Sequence, residues 1–306
     1  MAKYWDIIAV RQAYSRGENV TSLLRRQLGL EFNTEQIIEI AYDLQAGSYI
    51  EFLKYDARTS DLYTSEISSI LQNYIEADDI LLDVGTGELT TISQVLQKLQ
   101  VSPSQVYIFD ISWSRLFKGL KHAKANLANK YETLIPFVAN MTAIPLPDKC
   151  VNITTSSHAL EPNGGKLQQV ISEIFRVTSD MVILFEPSYE INSDDGKRRM
   201  EDLGYIRDLD AVISSVGGKV LEKVKVINVA NALNPTMCYV IQPPKVDSRL
   251  EYMVNSVNFS IPGTSVPLTR FSESYYSKQT GLTFPILREI PILREDCAFL
   301  ATALEE

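Results

Sequence analysis

Leu81-Leu82-Asp83-Val84-Gly85-Thr86-Gly87-Glu88-Leu89 decides the fold. An apolar run from Ile80 ends in an acid, and a Gly-x-Gly turn follows. Thr90, Thr91, Ile92, Val95, Leu96 and Leu99 then open a helical pattern. That order reads as a buried parallel strand, a tight turn and a helix N-terminus. Glycines at 85 and 87 let the chain turn sharply and let a ligand come close to the main chain. Units of this kind bind nucleotides at the carboxyl ends of their strands. Taken alone the turn is weak evidence; the residues around it carry more.

Downstream, Val106-Tyr107-Ile108-Phe109 is a second strand that ends at Asp110, 23 residues after Gly87. An acid about 20 residues beyond such glycines accepts hydrogen bonds from ribose hydroxyls. Ser112 to Leu127 reads as a helix with Leu116, Leu120, Ala123 and Leu127 on one face and its lysines in solvent. Phe137-Val138-Ala139 enters Asn140-Met141 and a two-proline loop at 142–148 that excludes helix and central strand. A fourth strand at 151–155 runs into Ser156-Ser157-His158-Ala159-Leu160-Glu161. After an amphipathic helix at 167–177, Met181 to Phe185 forms a continuous apolar strand that ends in Glu186-Pro187-Ser188-Tyr189. Helices near 198–203 and 209–216 and strands at 224–229 and 237–241 complete the unit. Strands alternating with helices specify an α/β sheet with helices on both faces, closed by an antiparallel pair. Asp194-Asp195 sits in a polar Asn-Ser-Asp-Asp-Gly stretch that reads as a loop, and no metal site is expected there or elsewhere.

Upstream, residues 1–62 carry helical spacings. They include a helix start at Asn33 or Thr34 and a mixed aromatic and polar stretch with Tyr42, Gln45 and Tyr49, which suits a lid over a substrate. The organisation expected is a helical N-terminal segment at 1–62, a cofactor-binding domain at 63–243 and a small module at 244–306. A length of 306 residues and an apolar content of 45% support a sizeable core. No apolar run is long enough for a membrane span, and Met1 to Asp6 begins no secretory signal. Cys150, Cys238 and Cys297 fit neither a disulfide framework nor a metal pattern, so reduced thiols and a cytoplasmic location are expected. A net charge of −9 disfavours a broad nucleic-acid surface.

Together, Asp83-x-Gly-x-Gly, Asp110, the Asn140 turn with its Pro-Leu-Pro-Asp loop, Ser157-His158-Ala159-Leu160-Glu161 and Glu173-Ile174-Phe175-Arg176-Val177 resemble class I S-adenosylmethionine-dependent methyltransferases. The resemblance covers roughly residues 63–243 and is nearest to the small-molecule, quinone-methyltransferase-like branch. It implies a Rossmann-like sheet and S-adenosylmethionine as cofactor. It further implies that Gly85, Thr86 and Gly87 pass beside the methionine part, and that Asp83 faces its ammonium group. Asp110, with Ile111 next to it, would take the ribose hydroxyls. Met141 would lie on adenine, Asn140 would accept from its amino group, and Ser156 would lie near the methyl sulfonium. Leu89 departs from the pattern, because many members carry a third glycine there. The tail from Thr280 to Leu293 resembles the end of the small zinc-ribbon methyltransferase-activator family, without its cysteines. It is expected to pack on the main domain or to mediate assembly, a homodimer being the assembly favoured.

Methyl transfer from a sulfonium needs in-line alignment and, for an alcohol or phenol, a proton acceptor. His158 is the candidate base, with Glu161 to orient it and Glu186 and Tyr189 as further candidates; His122 reads as solvated. Arg198 and Arg199 are candidates to clamp an acidic group on the acceptor. The acceptor expected is a small molecule methylated on oxygen, such as a sugar-like or other biosynthetic intermediate. The alternatives are a peptide or protein acceptor, or a non-catalytic subunit that keeps the fold.

Overall fold

The computed structural model describes residues 7–245 and 259–304. The opening residues, read above as carrying no secretory signal, lie outside the described residues.

Five helices come first: α1 (Ile7–Ser15), α2 (Val20–Leu28), α3 (Glu35–Leu44), α4 (Ser48–Tyr55) and α5 (Ala57–Leu71). Side chains fix several of their starts. Asn19 accepts from the Ser22 amide, Thr34 from Ile37 and Asp56 from Thr59, and each bond satisfies an amide that the first turn leaves free. Val10, Val20, Leu24, Ile37 and Ala41 pack into a small core of their own. Helix α5 runs through the boundary drawn at residue 62, so the chain enters the main domain without a break in helix.

The main sheet has seven strands in the order β3-β2-β1-β4-β5-β7-β6. They are β1 (Ile80–Val84), β2 (Gln105–Asp110), β3 (Leu134–Val138), β4 (Val151–Ser157), β5 (Thr178–Pro187), β6 (Lys219–Lys225) and β7 (Thr236–Gln242). β1 to β5 pair in parallel, and β7 runs antiparallel to both β5 and β6. This is the expected fold class, with the antiparallel closing pair in place. Between the strands lie α6 (Thr90–Lys98), α7 (Trp113–Asn126), α8 (Leu167–Val177), α9 (Asp194–Leu203) and α10 (Leu209–Ser215). Alternate strand residues feed two cores. Leu82, Val84, Tyr107 and Phe109 face α8 and α10, whereas Leu81, Val106 and Ile108 face α5, α6 and α7. Burial on both faces explains why these strands read as unbroken apolar runs.

Asp194-Asp195, expected in a loop, opens helix α9 instead. Ser193 accepts from the Gly196 amide, and two acids in the first turn suit the positive end of the helix dipole. The glycine that suggested a turn is inside the helix because its missing side chain leaves room for the Asn192 side-chain amide.

The C-terminal module is a second sheet of β8 (Thr269–Phe271), β9 (Ser274–Tyr276), β10 (Leu282–Leu287), β11 (Ile290–Pro291) and β12 (Phe299–Leu300). It covers the edge strand β3. Val138 and Ile292 form a parallel bridge, and the Leu293 amide donates to Val138 O at 2.9 Å. Phe259 packs its ring 5.2 Å from Phe137 and 5.0 Å from Tyr275. Phe284, Ile286, Ile290 and Leu293 are buried within the chain itself. Docking covers much of the tail's apolar surface, while Phe299 and Leu300 stay exposed. Arg294 extends it with an ion pair to Glu39 on α3 at 2.7 Å. Leu293→Ala should lower the unfolding free energy by about 3 kcal/mol, read by urea denaturation; a change within error would mean that the module docks independently of this side chain.

Candidate functional site

The strand order reverses between β1 and β4, so a crevice opens at their carboxyl ends. The Gly85–Leu89 loop leaves β1 with both glycines at positive φ, 67° and 57°. It is tied to the second strand twice. The Thr86 amide donates to Phe109 O at 2.9 Å, and the Gly87 amide donates to Asp110 Oδ2 at 3.0 Å. Asp110 Oδ1 accepts from the Ser112 amide at 2.8 Å. Burial pushes the Asp110 carboxyl above its ordinary range, and the Arg115 charge and the two amides pull the other way. Asp83 lies beneath the loop, and burial pushes its carboxyl up to about 7.

Leu89 occupies the place where a third glycine was expected. It keeps the glycine-like backbone, with φ at 56°, and its side chain is wholly buried. The space comes from the facing helix. A Cβ on Gly119 of α7 would stand 2.6 Å from Leu89 Cδ1 and 2.6 Å from the Glu88 carbonyl carbon. The close helix-to-loop approach is thus kept, with the missing side chain moved from the loop to α7.

Two cavities meet here. The smaller, about 100 Å³, is lined by Gly85, Thr86, Gly87, Asp110, Ile111, Asn140 and Met141, together with Arg115 and Ala159. Asn140 Oδ1 accepts from the Thr142 amide at 3.1 Å, which fixes the turn. The larger, about 420 Å³, is lined by Tyr42, Gln45, Tyr49, His158, Glu161 and Arg199, and also by Phe52, Tyr63, Tyr205 and Asn234. Tyr42, Tyr49, Thr90, Thr91, Ser157, His158 and Pro162 line both. Helices α3 and α4 roof this junction. Glu88 holds the roof to the glycine loop, because its two carboxylate oxygens accept from the Gly47 and Ile50 amides at 2.9 Å each.

His158 is held by its own surroundings. Its φ is 55°, Thr236 Oγ1 lies 2.8 Å from Nε2, and the Asn234 amide nitrogen lies 3.2 Å from Nδ1. Glu161 Oε2 stands 3.5 Å from Nδ1. Burial lowers the imidazole pKa, but the hydrogen bond and charge of Glu161, with the charge of Glu186, outweigh it, and the net direction is upward. Tyr63 and Ser157 share a hydroxyl–hydroxyl hydrogen bond of 2.7 Å at the junction, and burial keeps the Tyr63 phenol protonated.

Five expected residues line neither cavity, and Asp83, buried beneath the glycine loop, is the first of them. Ser156 points into the sheet and donates to Glu186, so Ser157 is the serine on the cavity wall. Glu186 sits behind the site, where its Oε1 accepts from the Ala159 and Leu160 amides at 3.1 and 3.2 Å and braces the turn that carries His158. Tyr189 bonds Glu201 at 2.5 Å, away from both cavities. Arg198 is exposed and pairs with Asp195, whereas Arg199, one position on, faces the larger cavity. The sequence reading missed Arg115, Tyr63, Ser157, Tyr205 and the 229–234 loop. Of these, only Ser157 lay inside a recognised motif.

No protein-family model matches the chain, and no curated protein matches it. Solved structures share its fold at low identity. One chain of the complex between the Haloferax volcanii Trm112 methyltransferase activator and the candidate methyltransferase is 14% identical with a TM-score of 0.50; the match covers 65% of this chain and 98% of that one. A SAM-dependent methyltransferase from Aquifex aeolicus is 16% identical over 60% of this chain and 91% of its own, with a TM-score of 0.45. Geranyl diphosphate C-methyltransferase from Streptomyces coelicolor A3(2) is 11% identical over 58% and 78%, with a TM-score of 0.46. The first of these, matched over 98% of its own length, shows the fold to be that of the Rossmann-like methyltransferases.

Two outcomes follow from the buried groups. Gly119→Ala should destabilise the protein by about 2 kcal/mol, because the added methyl meets main chain at Glu88; unchanged thermal unfolding would show that α7 can move away. Burial also pushes Glu186 up to about 7, and its Oε2 has no hydrogen-bond partner. The unfolded carboxyl loses its proton first, so stability falls as pH rises from about 4.3 through 7. Glu186→Gln should remove part of that fall, on the order of 2 kcal/mol, in urea titrations at pH 5 and pH 8. An unaltered pH slope would place the titration on other groups.

Proposed function

We propose that this chain transfers a methyl group from S-adenosylmethionine to an oxygen of a small-molecule acceptor, of the sugar-like or related biosynthetic kind. One observation carries the reading: the glycine-loop cavity and the larger cavity share a wall at Ser157, His158 and the two threonines of α6. Group transfer needs that arrangement, with donor and acceptor meeting in line.

The residues present fit the cofactor. Asp110 has spent one lone pair of each oxygen on main-chain amides, and a second on each can accept a ribose hydroxyl. Asp83 is a carboxyl raised by burial beneath the loop, and an ammonium group near it would favour its charged form. Met141 and Asn140 offer an apolar contact and an amide at the far end of the same cavity. When bound, S-adenosylmethionine supplies a methyl group already activated by the sulfonium charge.

The chain's own part is to align, shield and take up a proton. Tyr63 and Ser157 offer hydroxyls at the junction. His158 is the imidazole bordering both cavities, and Glu161 beside it would stabilise the imidazolium formed on proton uptake. Size supports a small acceptor over a peptide, because the larger cavity is about 420 Å³ and α4 lines it with the apolar Phe52 and Leu53. The wall suits a molecule with hydroxyls and an apolar part. Its polar groups are mainly asparagines, tyrosines and the hydroxyls of serines and threonines, and Arg199 is the one arginine or lysine among its described residues.

Calorimetric titration should show S-adenosylmethionine binding in the micromolar range, and Asp110→Ala should weaken it at least about tenfold while the fold is retained. Folded wild-type protein that binds nothing at hundreds of micromolar would overturn the reading.

A further inference from the structure

Arg115 is the buried charge that the reading above leaves without a task. It lies on the first turn of α7, and its side chain is 10% exposed. Its guanidinium lies over the glycine loop: a Cβ on Gly87 would stand 2.7 Å from Nη2. The rings of Tyr42 and Tyr49 hold it in place, with their centroids 5.1 and 4.8 Å from Cζ. Among the described residues it is the one arginine or lysine lining the smaller cavity, and it does not line the larger.

Its partners within the protein are incomplete. Arg115 Nε has no hydrogen-bond partner. The nearest acid, Glu88, stands 3.8 Å from Nε, and its two oxygens are already committed to the Gly47 and Ile50 amides. The Asp110 charge is near enough to favour the cation, but the hydrogen bonds that Asp110 accepts come from main-chain amides and not from Arg115. A buried guanidinium with an idle donor is costly unless a ligand supplies the acceptor. The planar fork of an arginine fits a carboxylate through two parallel bonds.

We infer that Arg115 binds the carboxylate of the cofactor's amino-acid end and so makes the site select an aminoacyl nucleoside over the same nucleoside lacking that carboxylate. The inference rests on the cofactor reading proposed above. It divides the zwitterion between two residues on the glycine loop's surroundings, the ammonium going to Asp83 and the carboxylate to Arg115. The acceptor cavity has no part in it, because Arg115 borders only the smaller one.

The test compares S-adenosylmethionine with decarboxylated S-adenosylmethionine, which differ by that carboxylate alone, using calorimetry on the full chain. Wild-type protein should prefer the former by about 10- to 100-fold. Arg115→Met should abolish the preference through weaker binding of S-adenosylmethionine, with the decarboxylated ligand bound as before or better. Arg115→Lys should keep part of the preference, which separates loss of the contact from loss of the fold. A preference that survives Arg115→Met overturns the inference, as does an equal loss for both ligands in Met and Lys variants that remain folded. In either case wild-type binding of S-adenosylmethionine leaves the cofactor reading standing. Wild-type protein that binds neither ligand removes both.

Discussion

The Asp110 carboxylate accepts one amide from the glycine loop and one from the start of α7, and most of the site's geometry depends on that pair of bonds. They join β1, β2 and two helix starts around a single buried acid. Burial opposes the charge and holds the carboxyl above its ordinary range, while the Arg115 guanidinium and the two amides offset part of that rise. The same acid therefore shapes the loop in the absence of ligand and offers its remaining lone pairs to one. A neutral isostere could keep only part of this, because a carboxylate accepts at both oxygens whereas an amide accepts at one.

The skeleton of the site was legible in the sequence because it is built from backbone rules. The apolar runs of β1 and β2 are continuous because both faces are buried, and each ends at the residue where polarity returns. The side chains that complete the site were less legible, and the errors have a period. Ser156 and Ser157 lie on opposite faces of β4, so placing the site one residue early exchanged a wall residue for a buried one. Arg198 and Arg199 are about 100° apart around α9, so one faces solvent and the other the cavity. Arg115 carries no sequence signal at all. It falls in the amphipathic pattern of α7 at a position that reads as one more basic residue on a lysine-rich helix.

Leu89 shows how a departure from a motif can be absorbed elsewhere. Positive φ is costly for a leucine, by about 1 kcal/mol or more. Burial of the whole side chain against Ile92, Leu116 and their neighbours offsets that cost. The exchange works only because residue 119 is glycine. In sequence these positions are thirty apart, and nothing in their spacing links them; the pairing exists only once α7 lies across the loop.

Helix α3 is where the separate parts of the chain become one mechanical unit. Asp43 near its end accepts from the Ser112 and Ser114 hydroxyls at 2.7 and 3.0 Å, fixing the roof to the start of α7. Glu39, one turn earlier, pairs with Arg294 of the C-terminal module, and Arg294 also reaches the Ile111 carbonyl at 3.5 Å. The module thus touches both the roof and the loop after Asp110, although its own sheet lies outside β3. Its docking on β3 uses main-chain bonds and buried apolar side chains, which set position. The Arg294 contacts are charge-assisted and nine-tenths buried at the arginine, so they constrain orientation more than surface ion pairs do. A module held this way restricts how far α3 can lift from the glycine loop. The C-terminal residues therefore belong to the site's architecture even though none of the described ones lines either cavity.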